Sequence, residues 1–204
     1  MFLAEEEDID RLEKLVTYTR FSKPWFFENF KEQVALSEFK IAKYWAERID
    51  LIRKSVSILN AGFGFYAVPL CHEKGAKRIN LYDMDPTTKD VSWWINEKYY
   101  KPEFFHRQLN VTFDYDKITE TDIYINTSCE HSYPMKDILP EGKMCVMSGN
   151  ALTKRGHINQ INSLDELKDQ CGLSTVIDED ELILEFEDEL GKRNYSQYII
   201  IGIK

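Results

Sequence analysis

The sequence has no apolar run approaching the roughly 18 to 20 residues a transmembrane helix needs, so no membrane partner is expected. Its start, Met-Phe-Leu-Ala-Glu-Glu-Glu-Asp, lacks the positive region and apolar core of a secretory signal. Cysteine is sparse. Cys71, Cys129, Cys145 and Cys171 stand far apart, with no CxxC pair and no Cys/His cluster at zinc spacing. No metal site is therefore expected, and a reducing cytoplasm is the simplest setting. Basic charge is in deficit: 26 Lys and Arg face 35 Asp and Glu, for a net charge of −9. That argues against a broad phosphate-binding surface, while leaving room for a local basic groove or a nucleotide-sized substrate. No internal repeat, linker or low-complexity stretch interrupts the chain.

What is present is the composition of a globular protein. Of 204 residues, 43% are hydrophobic and 13% aromatic. The length suits one domain with a terminal extension. Residues 1–54 read as that extension, helical and packed on the core. Phe39, Ala42, Trp45, Ile49 and Ile52 recur at three- and four-residue steps, which places them on one helix face against the following sheet. Upstream, Pro24 breaks any helix, and Trp25-Phe26-Phe27 follows as a hydrophobic plug or, on a sharper reading, a lid or substrate wall.

Residues 55–204 change style. Val56–Leu59, Ile79–Tyr82, a strand near Phe104–Leu109, Asp122–Asn126 and Met144–Met147 are β-prone runs. Helical patterns and turns separate them: Gly75 suits a helix C′ position, and Asp85-Pro86 suits an N-cap and first helical residue. Val91, Trp94, Ile95 and Tyr99 share a face in the next helix. Such alternation predicts βαβ units and a mostly parallel sheet. Glu181–Phe186 and Tyr198–Ile203 are read as two strands joined by a polar loop around Gly191–Asn194, a hairpin at the sheet edge.

The strongest local signal is Leu59-Asn60-Ala61-Gly62-Phe63-Gly64-Phe65-Tyr66-Ala67, set between a strand and a helix. Small residues there let the backbone turn sharply and approach a ligand. Asp83 ends the next strand, 21 residues after Gly62. That is the offset at which an acidic side chain accepts hydrogen bonds from a ribose diol. Asp85 is already a good cap, which leaves Asp83 for a ligand. Gly62, Gly64 and Ala67 fit both the dinucleotide pattern and the looser loop of S-adenosylmethionine (SAM) binders. The preceding helical segment, the lack of room for a separate substrate domain and the terminal strand pair favour SAM.

On these residues the chain resembles the class I SAM-dependent methyltransferase family. Asn60–Gly64 is similar to the family's first motif, Leu81–Asp85 to its second and Asp122–Ser128 to its fourth-strand motif. Tyr198–Ile203 looks like the family's last strand, which is reversed and inserted between its neighbours. The resemblance covers roughly residues 51–204. It implies an α/β fold: a three-layer Rossmann-like sheet of seven strands, mostly parallel, with a C-terminal β-hairpin and N-terminal helices. It also implies SAM as cofactor, with Gly62 and Gly64 against the methionine portion, Asp83 on the ribose and Asn110 near the adenine. Asn60 and Asn126 complete the expected cofactor set. Three positions depart from the pattern: Asn60 replaces an acidic residue, Phe65 the third glycine, and Asn110 stands where an acidic residue is frequent.

In open α/β sheets chemistry sits beyond the carboxyl strand edge. Asn126-Thr127-Ser128-Cys129-Glu130-His131 leaves the fourth strand there. Glu130 or His131 is the candidate catalytic acceptor of a proton from an attacking nucleophile, with helix capping the equal alternative. Cys129 reads as a buried structural thiol rather than a nucleophile. Ser148-Gly149-Asn150 and Lys154-Arg155-Gly156-His157-Ile158-Asn159-Gln160 cover the same edge, and His157 and Asn159 are loop candidates for substrate contact. The sequence lacks the [DNS]-Pro-Pro-Tyr of amino-methylating nucleic-acid enzymes and the Pro-Cys of cytosine-C5 enzymes. The expectation is a methyltransferase acting on a small molecule rather than on nucleic acid. The alternatives are a SAM- or nucleotide-dependent enzyme that does not methylate, a lyase or an NAD oxidoreductase, and a non-catalytic binding module.

Overall fold

The computed structural model describes residues 35–99, 104–153, 156–188 and 191–204. The helical reading of residues 1–34, the Trp25–Phe27 plug and Lys154-Arg155 lie outside the described residues. Helix α1 (Leu36–Ala46) comes first. Ala42 and Trp45 are buried, as the helical spacing requires, but the helix stops short of residue 54. The Asp50 carboxylate accepts the Ile52 N–H at 3.0 Å, and Arg53 adopts φ +58°. This side-chain turn competes with continued helix. It leaves Ile52 64% exposed, so that residue does not belong to the buried face.

The sheet follows. Strand β1 (Ser55–Leu59) leads through a loop to helix α2 (Ala67–Glu73), then β2 (Arg78–Asp83) and helix α3 (Pro86–Ile95). The rest is β3 (Phe104–Gln108), β4 (Ile123–Asn126), β5 (Met144–Asn150), helix α4 (Leu164–Cys171), β6 (Thr175–Asp188) and β7 (Gly191–Ile203). The seven strands lie in the order β3-β2-β1-β4-β5-β7-β6. β1 to β5 are parallel, and β7 runs antiparallel between β5 and β6. The expected seven-stranded arrangement with an inserted, reversed last strand is therefore present.

Alternation along the strands creates two cores, because successive side chains point to opposite faces. Val56, Ile58, Leu81, Ile125, Val146 and Ile201 pack with Trp45 of α1 and Val68 of α2. Leu59, Tyr82, Tyr124, Cys145, Met147 and Ile200 pack on the other face with Leu167 of α4. Helices on both sides give the three layers. Among the described residues no helix is long and apolar enough to cross a membrane.

Three expectations need correction. Strict strand–helix alternation fails between β3 and β4 and between β4 and β5, where the described residues form only 3₁₀ turns (Tyr115–Lys117, Cys129–His131 and Met135–Asp137). Polar residues whose side chains bond nearby backbone occupy those stretches, and they favour turns over helix. The hairpin is longer than the sequence reading: Gly191–Asn194 is strand, with Asn194 opposite Glu185 and Lys192 opposite Glu187. An ion pair from Lys192 to Glu185 at 3.0 Å and the Arg193 guanidinium over the Phe186 ring at 5.0 Å tie the two strands across the sheet. Finally, α4 is an additional helix. Ser163 caps it by accepting the Glu166 N–H at 3.1 Å, Glu166 accepts the Asn162 N–H at 2.9 Å, and Gly172 ends it at φ +60°.

Candidate active site

The parallel strands deliver their carboxyl ends to one edge. At β1 the chain leaves the sheet through Asn60, which adopts φ +50°, a conformation Asn tolerates better than most residues. Gly62 and Gly64 follow at φ +53° and +64°. At Gly64 a Cβ would lie 2.8 Å from Leu81 Cδ1 and 2.9 Å from Val68 Cγ2. The loop thus rests on β2 and α2 at a distance only glycine permits.

Other side chains grip the loop backbone. Asp83 Oδ2 accepts the Gly62 N–H at 2.8 Å, and Asp83 Oδ1 accepts the Asp85 N–H at 2.9 Å. Burial pushes the Asp83 carboxyl above the usual carboxylate range, while backbone N–H groups of Asp85, Gly62 and Met84 pull it back down. Asp85 caps α3, accepting from Thr87 N at 2.8 Å. Below the loop, Asn96 donates to the Phe63 carbonyl at 3.0 Å, and His106 Nε2 faces the Gly62 carbonyl at 3.4 Å. Burial pushes the His106 imidazole down to about 4, so it is neutral at physiological pH. Sequence reasoning missed both Asn96 and His106. A lone histidine inside the apolar run Phe104-Phe105-His106 was the available signal for the latter.

The remaining expected cofactor residues fall at the same edge. Asn60 and Asn126 meet: the Asn60 amide donates to Asn126 Oδ1 at 3.4 Å and to the Ser128 carbonyl at 3.2 Å. Asn126 is fully buried, donates to Ser132 Oγ at 3.3 Å and accepts from Ser128 N at 3.0 Å. The pair fixes the ends of β1 and β4 to each other. Asn110 lies just past β3, where its side chain accepts the Thr112 N–H at 3.0 Å in an Asx turn. Leu109 N donates to the Asp83 carbonyl at 2.7 Å, so Asn110 follows directly beside the β2 terminus. A recess of about 60 Å³ opens between α1 and the loop, lined by Glu38, Trp45, Gly64, Tyr66, Ile125 and Thr127.

Beyond β4, Glu130 and His131 occupy a single 3₁₀ turn. Glu130 is buried and its Oε1 accepts from the Asn150 amide at 3.0 Å; His131 is exposed. Cys129 is buried, and a contact with Cys171 together with burial raises its thiol well above the ordinary range, which agrees with a structural role. His157 comes to the same place: its ring and that of His131 stand 4.7 Å apart, edge to face. The exposed rings of Phe113 and Tyr133 lie 6.0 Å apart on the segments that follow β3 and β4.

No family model matches the sequence, and no curated protein is similar to it. Solved structures are. One is the magnesium protoporphyrin IX methyltransferase of Synechocystis with bound S-adenosylhomocysteine (SAH), at TM-score 0.62 and 12% identity, covering 89% of this chain and 94% of that one. Another is the ribosomal protein L11 methylase of Lactobacillus delbrueckii, at TM-score 0.56 and 15% identity over 83% and 80% of the two chains. A third is an O-methyltransferase family 2 protein of Planctomyces limnophilus in complex with apigenin, at TM-score 0.56 and 13% identity over 80% and 57%. The chain has the class I methyltransferase fold.

Proposed function

We propose that the protein is a SAM-dependent methyltransferase acting on a small molecule. The observation that carries this reading is the half-buried Asp83 carboxyl, hydrogen-bonded to the glycine loop at the carboxyl edge of a class I methyltransferase sheet. A half-buried carboxyl held by backbone N–H groups at that edge is a candidate functional position. What supports SAM is the pairing of a glycine loop after β1 with an acidic residue, Asp83, at the end of β2, the positions from which a Rossmann-type site takes a nucleoside.

When bound, SAM supplies a methyl group on a sulfonium. Gly62 and Gly64 would lie against its methionine portion, Asp83 would accept from the ribose hydroxyls and Asn110 would sit near the adenine. Asn60 and Asn126 hold the strand ends that form the floor. Glu130 or His131 would face the acceptor and take up its proton as the nucleophile is methylated. Positioning of two reactants and exclusion of water supply most of the acceleration in such an in-line displacement. The exposed Phe113 and Tyr133 rings and the acidic net charge of −9 support a small acceptor with an apolar body over nucleic acid. Four free, buried cysteines support a cytoplasmic setting.

Calorimetric titration of the full chain with SAM, SAH and NAD tests the reading. Saturable SAM or SAH binding that Asp83→Ala abolishes is the expected result. NAD binding without SAM or SAH binding transfers the site to an oxidoreductase. No binding of any of the three by the folded protein leaves a non-catalytic module, the reading that Asn60 in place of an acidic first-motif residue favours.

A further inference from the structure

We propose that Glu130, His131 and His157 form a binding site for a divalent transition-metal cation, with zinc the representative ion. One ligand atom from each of the three residues lies within 4.8 Å of the other two. Two imidazoles and one carboxylate are the donor set of open, three-ligand zinc sites and of other divalent transition metals. Imidazole donors disfavour magnesium and calcium, which take oxygen.

The outer contacts are those that set a ligand in place. His131 Nδ1 faces the Gly156 carbonyl at 3.2 Å, and His157 Nδ1 faces the Leu152 carbonyl at 2.6 Å. A neutral ring donates its Nδ1 proton to such a carbonyl, which puts the lone pair on Nε2, the coordinating nitrogen. Glu130 is oriented by a chain of amides. Asn150 donates to Glu130 Oε1 at 3.0 Å and to Gln197 Oε1 at 2.9 Å, and Gln197 donates to Ser148 Oγ at 2.7 Å. All three of these supporting residues are buried.

The backbone brings the distant ligand in. The Glu130 carbonyl accepts the Ile158 N–H at 2.9 Å and the Asn159 N–H at 3.1 Å, so the loop bearing His157 is fastened to the turn bearing the other two. Gly156, at φ +93°, lets that loop turn against the His131 ring. Three protein ligands leave the remaining coordination positions to water or to an oxygen of an acceptor. Cation binding itself does not depend on the methyltransferase reading; the acceptor as a further ligand does, and with the cation bound Glu130 and His131 hold the metal instead of taking up a proton.

The test is titration of the metal-stripped full chain with Zn²⁺ alone, followed by calorimetry, with Co²⁺ absorption as a second readout of nitrogen–oxygen coordination. Expected are one equivalent of Zn²⁺, no displacement by excess Mg²⁺, and a loss of affinity of about 100-fold or more in His157→Ala and Glu130→Gln. Asn150→Ala, which removes only support, lowers affinity by roughly tenfold. His72→Ala, on α2, leaves it unchanged. Circular dichroism of each variant confirms the fold, and His157 and His131 lie on surface turns whose truncation spares both cores. Absence of saturable Zn²⁺ binding, or unchanged affinity in folded His157→Ala, overturns the site. SAH titration of the same samples separates the two ideas. SAH binding without zinc binding removes only the metal site, and zinc binding without SAH binding removes only the methyltransferase reading.

Discussion

The two halves of the carboxyl edge are built in opposite ways. At β1 and β2 the side chains of Asp83, Asn96 and His106 hold backbone groups of the Asn60–Gly64 loop. At β4 and β5 the backbone carbonyls of Gly156 and Leu152 and the Asn150 amide hold side chains instead. The first half shapes a backbone cradle, which suits recognition of a large ligand by contour and N–H groups. The second aims three titratable side chains at one point, which suits chemistry. The contrast teaches where a left-handed side chain is tolerated: in the cradle Asn60 adopts φ +50° beside Gly62 and Gly64, whereas among the described residues of the second half only a glycine, Gly156, has positive φ.

That contrast can be broken at its most constrained point. Gly64→Ala adds a left-handed penalty of about 1–2 kcal/mol and an overpacking cost of about 1–3 kcal/mol against Leu81 and Val68. Urea unfolding therefore gives a loss of about 2–5 kcal/mol, together with loss of SAH binding. The next effect is a pH dependence. His106 has a folded pKa of about 4 against 6.5 when unfolded. Above pH 6.5 it is neutral in both states and contributes nothing to the slope. As pH falls from 6.5 to 4 the unfolded chain takes up the proton first, so stability drops by about 3 kcal/mol. Urea melts of the parent and of His106→Gln across that range isolate this component, and the variant lacks it.

Smaller effects sharpen the comparison. Asp85→Ala removes the α3 cap and costs about 1 kcal/mol. SAH affinity is retained, in contrast to Asp83→Ala. Glu130→Gln keeps an acceptor for the Asn150 amide and changes stability by less than about 1 kcal/mol in urea, while methyl transfer to an identified acceptor is lost. Cradle variants thus cost stability and cofactor binding together, and variants of the second half cost activity with the fold intact.

The cradle was legible in the sequence because it is local. Gly62, Gly64 and Asp83 span 22 residues of one strand–loop–helix–strand unit, and their spacing carries the signal. The parallel strands were legible for the same reason: Val56–Leu59 and Ile123–Asn126 are short apolar runs buried on both faces. The second half was legible only in part: the sequence puts Glu130, His131 and His157 at one edge, but not in contact. His157 reaches His131 only through the β5 strand and the loop fastened to the Glu130 carbonyl, a contact that periodicity does not encode. Gly191–Asn194 was misread as a loop because its polar residues pair across strands with Glu185, Phe186 and Glu187, where register rather than hydrophobicity decides. The sequence reading passes over α4, for which Ser163 followed three residues later by Glu166 was the available signal.

The central claim is that the cradle around Asp83 binds the SAM family of ligands. Unfolding of the parent chain and of Asp83→Ala, each with and without SAH, tests it directly. A ligand bound only by the folded state at about 100 times its Kd stabilises by about 2.7 kcal/mol. The account predicts a shift of that size in the parent and none in the variant. A parent chain that stays folded yet shows no shift at millimolar SAH, or a variant that shifts equally, would contradict it.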